Sequence, residues 1–376
     1  MRRGEAREKI ISAAERLFAN KWYSTVSVAD ICRSAGVSNG IAYHYYRNKD
    51  ELLADIMERT IEVVGGGPSL EGAGPDGMLR NYVADLLGIT VERKHLIRSF
   101  RQGQYRMLGY ERKLHEVYTK HLEAVLKRKV CEPEYEFIMS GLRFVNIRHA
   151  FDGSPADIGT LYEVLTRGAF PGISMRPLGE FLPNRVLPPA VDIIQDTRSK
   201  LLKSGKELIG ESDFASVGIA DITGKAGISV GSFYSHFESK ERFLAEMIRQ
   251  ISKELRRFIR INMPKCETRL EEELAGLYLF CLYLTFDPVC YAVVRQGEYV
   301  VPDVARGYYD GFVDGYLKRM DWLPEGWDRG TVANFCIGIA HYLGMELTFS
   351  GAKKDIRQCI AELAGYYGRG IGRTEV

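Results

Sequence analysis

Residues 27–54, SVADICRSAGVSNGIAYHYYRNKDELLA, return as residues 218–245, GIADITGKAGISVGSFYSHFESKERFLA. Ala29, Asp30, Ile31, Ala35, Gly36, Ser38, Gly40, Tyr43, Lys49, Leu53 and Ala54 recur unchanged, far beyond chance over so short a stretch. A chain that carries one phrase twice builds the same local unit twice, so the duplication constrains this fold more than any property of the whole. Each copy sets apolar residues at helical spacing, breaks at Ala-Gly-Val or Ala-Gly-Ile, and restarts at a serine. That is the pattern of two short helices around a tight turn.

The surrounding sequence completes the unit. Residues 5–20 place Ile10, Ala13, Ala14, Leu17 and Phe18 on one face of an amphipathic helix. A second helix begins at Ser27, whose hydroxyl caps it while Asp30 reaches back, and Gly36 ends it because a left-handed turn costs glycine nothing. Ser38 opens a short third helix, and Asn48 with Glu51 opens a fourth running to about Val64. The same four helices are expected over 197–210, 218–226, 229–236 and 239–260.

Both copies resemble the DNA-binding helix-turn-helix of the tetracycline-repressor (TetR) family. The resemblance implies that the third helix enters the major groove and that the fourth links it to a helical effector domain. Ser38, Asn39, Ile41, His44 and Tyr45 then face base edges or nearby backbone, Tyr43 and Lys49 meet phosphates, and Ser27 meets a phosphate at its helix N-terminus. The matching set in the second copy is Ser229, Val230, Ser232, Tyr234, Ser235, His236 and Lys240.

The repeat extends past the reader. Arg101-Gln102-Gly103-Gln104-Tyr105 is answered by Arg295-Gln296-Gly297-Glu298-Tyr299, and Phe151-Asp152-Gly153 with Asp157-Ile158 by Phe349-Ser350-Gly351 with Asp355-Ile356. The expected fold is therefore all-α: two TetR-like units, each a helix-turn-helix domain plus a helical effector and dimerisation domain, forming an intrachain pseudo-dimer. The boundaries read as 1–64 and 78–173 for the first unit and 192–260 and 261–376 for the second. Residues 174–191, with Pro177, Pro183, Pro188 and Pro189, form a linker, and the glycines of 65–77 a hinge. The internal interface is expected from 134–151 and 157–170 against 330–349 and 354–369. Tethering replaces dimerisation by an intramolecular step at an effective concentration on the order of mM.

The two readers have diverged. Asn39 can bond adenine in two places, whereas Val230 offers only an apolar contact, so the operator is expected to have unequal half-sites. Gly218 replaces the capping Ser27, Gly224 replaces Arg33, and Glu238 replaces Arg47. Residues 1–60 hold ten basic against eight acidic side chains, residues 192–251 eight against nine, so phosphate attraction favours the first reader.

Two stretches are candidates for the effector site. Leu277 to Phe286 is apolar on every face, so it is either core or, with Phe280, Tyr283, Phe286 and Tyr291, the wall of an aromatic pocket for a hydrophobic effector. The repeated motif supplies Arg101, Gln102, Tyr105, Arg295, Gln296 and Tyr299, with Arg98 nearby, either as pocket residues or as packing at a close helix crossing. The basic run Arg93, Lys94, His95, Arg98, Arg101 and Arg106 is a solvated face or the mouth of an anion pocket.

Composition bounds the rest. Net charge is only +2, so a basic surface has to be local. The seven cysteines lack any CxxC spacing, which fits reduced thiols in a cytoplasm. The uncharged stretch Leu274–Phe286 falls short of the ~20 residues of a membrane span, so a cytoplasmic protein without a membrane partner is expected. No metal-binding His spacing, nucleophile elbow or dinucleotide fingerprint is present, and neither a cofactor nor catalysis is expected. The partners expected are a double-stranded DNA operator and a small-molecule effector, with further homodimerisation open. The alternative is an all-helical small-molecule-binding or interaction protein that has lost DNA binding in one or both halves.

Overall fold

A computed structural model of the chain describes residues 3–67, 74–104, 106–189, 196–350 and 354–372. Among these residues every regular element is helical. The chain divides into two compact units: one takes in residues up to 130 together with 146–153, the other 131–145 and 154 onward.

The first unit holds α1 (Arg3–Asn20), α2 (Val28–Ala35), α3 (Asn39–Tyr45), α4 (Lys49–Gly65), α5 (Pro75–Glu92), α6 (Lys94–Gly103) and α7 (Leu108–Leu126), and the last turns of α8 (Glu132–Asp152). Helix α1 buries Ile10, Ala13, Ala14 and Phe18 completely, as its pattern predicts. Leu17 is only partly covered and Ile11 is buried instead, because the face turned toward α6 and α4 lies one position round from the stripe read from sequence. The cap of α2 forms as expected: Ser27 Oγ accepts from Asp30 N–H at 3.1 Å and the Asp30 carboxylate accepts from Ser27 N–H at 3.0 Å. The predicted glycine hinge lies partly outside the described residues, at 68–73.

The second unit repeats the reader as α11 (Thr197–Glu211), α12 (Ile219–Ala226), α13 (Val230–His236) and α14 (Lys240–Asn262). It continues through α15 (Arg269–Phe286), α16 (Cys290–Val300), α17 (Pro302–Leu317), α18 (Arg329–Phe349) and α19 (Ile356–Arg369). It also contains α9 (Ile158–Arg167) and the one-turn α10 (Leu178–Phe181). The proline-rich segment, expected as a spacer without helix, is a docked strap. Its Phe181 and Leu182 are buried, Arg176 pairs with the buried Glu271 at 2.6 Å, and Leu187 exchanges backbone bonds with the Asn262 amide at 2.7 and 3.0 Å. Prolines exclude long helices but leave carbonyls and apolar side chains free to dock, which composition alone does not reveal.

The first part of α8, with α9, packs against α18 and α19 inside this second unit, so the closing helices of the first repeat meet those of the second. Glycines set the approach. A Cβ on Gly338 would lie 2.6 Å from the Ser140 carbonyl oxygen, and one on Gly141 would lie 2.2 Å from the Phe335 ring. Phe137 fills the space beside them against Phe335 and Tyr367, with ring centres 5.2 and 6.0 Å away. The helix ends are joined as well: Asp157 N–H donates to Thr331 Oγ1 at 3.1 Å, and Asp328 N–H to Thr160 Oγ1 at 2.9 Å. The repeated Asp157 and Asp355 prove to be N-caps, of α9 and α19 respectively.

Candidate nucleic-acid interface and effector cavity

Each reader hinges on one left-handed glycine. Gly36 (φ 66°) and Gly227 (φ 67°) end α2 and α12, and the next residues, Val37 and Ile228, donate back to Cys32 and Thr223 carbonyls at 3.0 and 2.9 Å. A side chain in this region is strained, which explains the invariant Ala-Gly in both copies. The turn throws α3 and α13 outward with a single inward anchor each, Ala42 and Phe233. Asn39, Ile41, Tyr43 and His44 are exposed on α3, with Tyr43 at 57%; Val230, Tyr234, Ser235 and His236 are exposed on α13, with Tyr234 at 56%. Tyr45 and Ser232 are half-buried at the edges of these faces.

The flanking residues are less free. Ser38 makes no side-chain cap bond, so its hydroxyl stays on the exposed face, whereas Ser229 Oγ accepts from Ser232 N–H at 3.3 Å. Lys49 turns inward: its ammonium donates to the Tyr23 and Val26 carbonyls, both at 2.8 Å, and lies 4.1 Å from the Tyr23 ring centre. Lys240 repeats this with the Phe214 carbonyl and ring, and burial pulls its pKa below the ordinary lysine value. Both lysines clamp the start of the fourth helix to the loop after the first. Gly218 donates its N–H to Asp221 at 2.7 Å but has no side chain to complete the cap, so the second reader keeps half of the box around Ser27.

The repeated glutamines are staples between the reader and the helical domain. Gln102 accepts from Tyr23 N–H at 2.7 Å and donates to the Phe18 carbonyl and, at 2.7 Å, to that of Lys21. Gln296 accepts from Phe214 N–H at 2.6 Å and donates to the Ile209 carbonyl at 2.9 Å. The adjoining glycines allow close approach: a Cβ on Gly103 would sit 2.6 Å from Met57 Sδ, and one on Gly297 2.2 Å from Ile248 Cδ1. Of the two readings of Arg-Gln-Gly-Glx-Tyr, the packing one matches these bonds. Arg101 is buried, Arg98 lies over the Phe151 ring at 4.4 Å, and Tyr105 lies outside the described residues. The basic run of α6 disperses, with Arg93 and Lys94 exposed and Arg106 near Asp50 at 3.5 Å.

A cavity of about 660 Å³ opens between α14, α15, α17 and α18 of the second unit. Phe280 and Tyr291 line it, whereas Tyr283 points away onto Phe258 and Phe286 is 45% exposed. Most of its wall was not singled out from sequence: Tyr308, Phe312 and Tyr316 come from α17, and His341 from α18. The spacing of those three aromatics, four residues apart, is a one-faced stripe that marks them in retrospect. Tyr291 Oη meets His341 Nδ1 at 2.6 Å, and Tyr309 Oη lies 3.3 Å from the same nitrogen while donating to Glu298 at 2.7 Å. Arg295 pairs with Glu298 at 2.5 Å behind this wall, and Tyr299 is buried. Burial pushes the Glu273 carboxyl up to about 7, against the bond donated by Tyr316 at 2.7 Å. The cavity is in the size range of small-molecule sites, apolar with few polar groups.

Among the described residues no group of three or more His, Cys, Asp or Glu side chains is placed to hold a metal ion. Among the described residues no single helix is long and apolar enough to cross a membrane.

Comparison with known proteins agrees with the reader geometry. The family model described as bacterial regulatory proteins, tetR family, matches residues 10–56 and again residues 201–247. The uncharacterized HTH-type transcriptional regulator YxbF of Bacillus subtilis is 22% identical over 326 residues, 84% of each chain. The HTH-type transcriptional regulator HbdR of Aromatoleum is 45% identical over 58 residues, 15% of this chain and 25% of that protein. Among solved structures, the fatty acid degradation regulator FadR from Bacillus halodurans aligns over 47% of this chain and 97% of its own, with 15% identity and a TM-score of 0.40. The chain therefore carries the DNA-binding domain of the tetR family of bacterial regulatory proteins twice in one polypeptide, a tandem arrangement.

Proposed function

We propose that the protein is a single-chain repressor that grips an asymmetric operator with two unlike readers and releases it when a small molecule fills the cavity of the second half. The observation that carries this reading is the pair of outward-facing helices α3 and α13, each leaving a tyrosine more than half exposed. Aromatic and aliphatic side chains are left in water only at a cost, and their exposure on a helix that otherwise anchors through one residue marks a docking face. In this reading Asn39, Ile41 and His44 read one half-site, Val230 and Ser232 the other, and Tyr43 and Tyr234 hold phosphates. Lys49, Lys240 and Ser27 support the readers from behind.

The release mechanism follows from α14. This helix begins at the Lys240 clamp beneath the second reader and ends as a wall of the cavity through Ile259 and Met263. A ligand that shifts the wall moves the clamp with it. DNA and ligand then oppose each other through one coupling free energy, equal in both directions. The test is fluorescence anisotropy with the DNA upstream of the protein's own gene. Salt-dependent binding weakened at least tenfold by Tyr43→Ala supports the proposal. Salt-independent or absent binding favours instead the reading of a small-molecule-binding protein without a DNA function.

A further inference from the structure

The aromatic cavity has a charged entrance that its apolar lining does not explain. Arg256 and Arg260 reach it from α14, Arg269 from α15, and Lys318 and Arg319 from the end of α17. The facing carboxylates are few. Glu272 is shared between Arg269 and Arg319, the latter at 3.2 Å, and Glu273 is held by Tyr316. The side chains of Arg260 and Lys318 make no hydrogen bond or ion pair among the described residues, and the buried Nε of Arg269 is likewise without a partner. The entrance runs on into a groove of about 800 Å³ between α14 and α17, which shares Arg256, Arg260 and Tyr308 with the cavity and adds Arg249, Lys253 and Arg257 against Asp303.

Two ordinary explanations fall short. Cations in the last turn of a helix complement its dipole, which accounts for Arg260, and Arg249 pairs with Glu246 at 3.5 Å, but neither accounts for Lys253 in mid-helix or for convergence from α15 and α17. Contact with the DNA backbone is excluded by distance along α14, which rises about 24 Å between Lys240 and Arg256. Like charges on one helix face cost stability unless something offsets them. Arg256 also occupies a built position at the junction: it lies over the Phe312 ring at 5.0 Å and donates to the Tyr308 carbonyl at 3.2 Å. A Cβ on Gly311 would fall 2.2 Å from its guanidinium, so the glycine makes room for it.

We infer that the effector is an amphipathic organic anion, its apolar body among Phe280, Tyr291, Tyr309 and Tyr316 and its anionic head on Arg256 and Arg260 at the start of the groove. This rests on the cavity being the effector site and names the class of ligand it takes. Binding is read without DNA, so the result stands or falls separately from operator binding.

The test uses two fluorescent probes of matched aromatic size on the full-length protein: the anion 1-anilinonaphthalene-8-sulfonate and the neutral N-phenyl-1-naphthylamine. The anion is expected to bind at one site with at least tenfold lower Kd. Arg260→Gln combined with Lys318→Gln is expected to narrow that preference to less than threefold. Ala340→Trp, which fills the cavity from α18, is expected to abolish both signals while circular dichroism confirms an intact helical fold. Equal affinity for the two probes, a preference untouched by the double substitution, or anion binding that survives Ala340→Trp would each overturn the inference.

Discussion

Phe144, on the helix that closes the first repeat, packs its ring 5.1 Å from that of His341, which lines the cavity of the second. It also lies 5.3 Å from Tyr309 on the same wall. The cavity is therefore backed by a residue of the other repeat, and its shape depends on the bundle that joins the two. Phe144→Ala should lower stability by about 3–5 kcal/mol, the usual cost of removing a fully buried ring. Phe144→Leu should cost less and weaken probe binding in the cavity severalfold, although residue 144 is not among its lining. Isothermal titration together with thermal unfolding checks this. A leucine variant with wild-type ligand affinity contradicts it.

The glutamine staples predict a coupled loss of stability and DNA affinity. Gln296→Leu leaves the buried N–H of Phe214 without an acceptor, and an unmet buried donor costs about 1–3 kcal/mol. Gln102→Leu does the same to Tyr23 N–H. Each variant should lower the unfolding midpoint and loosen its own reader, measured as faster amide exchange in α2 or α12 and weaker operator binding. Unaltered exchange in the reader would mean that the staple carries no load.

How much of this was legible in the sequence depended on whether the determinants were local. The helix-turn-helix rests on Ser27, Asp30 and Gly36 within a few residues of one another, and the repeat doubled the evidence for each. The aromatic spacing also marks Phe280 and Tyr291, which line the cavity. It did not show that Lys49 turns inward or that Gln102 faces the reader, because those bonds join residues 23 and 79 positions apart. His341 and Tyr309 join Tyr291 through tertiary packing alone, and an apolar run such as Leu277–Phe286 reads the same whether it faces a core or a cavity.

Glycine at the bundle crossing should be irreplaceable. Gly338→Ala would place a methyl group 2.6 Å from the Ser140 carbonyl oxygen, and backbone cannot yield as a flexible side chain can. A loss of about 1–3 kcal/mol is expected from such overpacking. Gly224→Ala, where nothing lies within 4 Å, should be tolerated. Denaturant unfolding of the two variants distinguishes a tight crossing from a loose one.

The bundle should also make stability fall as pH rises. Burial, reinforced by the Glu346 carboxylate, pushes the Glu136 carboxyl up to about 7, with the Ser140 hydroxyl and the Lys354 ammonium pulling the other way. Between its unfolded value of 4.5 and about 7 the folded chain holds a proton that the unfolded chain has lost, so stability falls as pH rises through this window and is level above it. Glu136→Gln should therefore match the wild type below pH 4.5 and exceed it in unfolding midpoint at pH 8. Parallel pH profiles for the two proteins would contradict this.

The central claim is that one polypeptide supplies both halves of a DNA-gripping pair. Binding-site selection followed by hydroxyl-radical footprinting of the wild type, Tyr43→Ala and Tyr234→Ala tests it most directly. The account predicts one chain per duplex and two unequal half-sites with centres about 34–36 Å apart, one turn of DNA. Each substitution should erase protection over a different half-site. A perfect palindrome occupied by two chains, or a footprint unchanged by Tyr234→Ala, would contradict it.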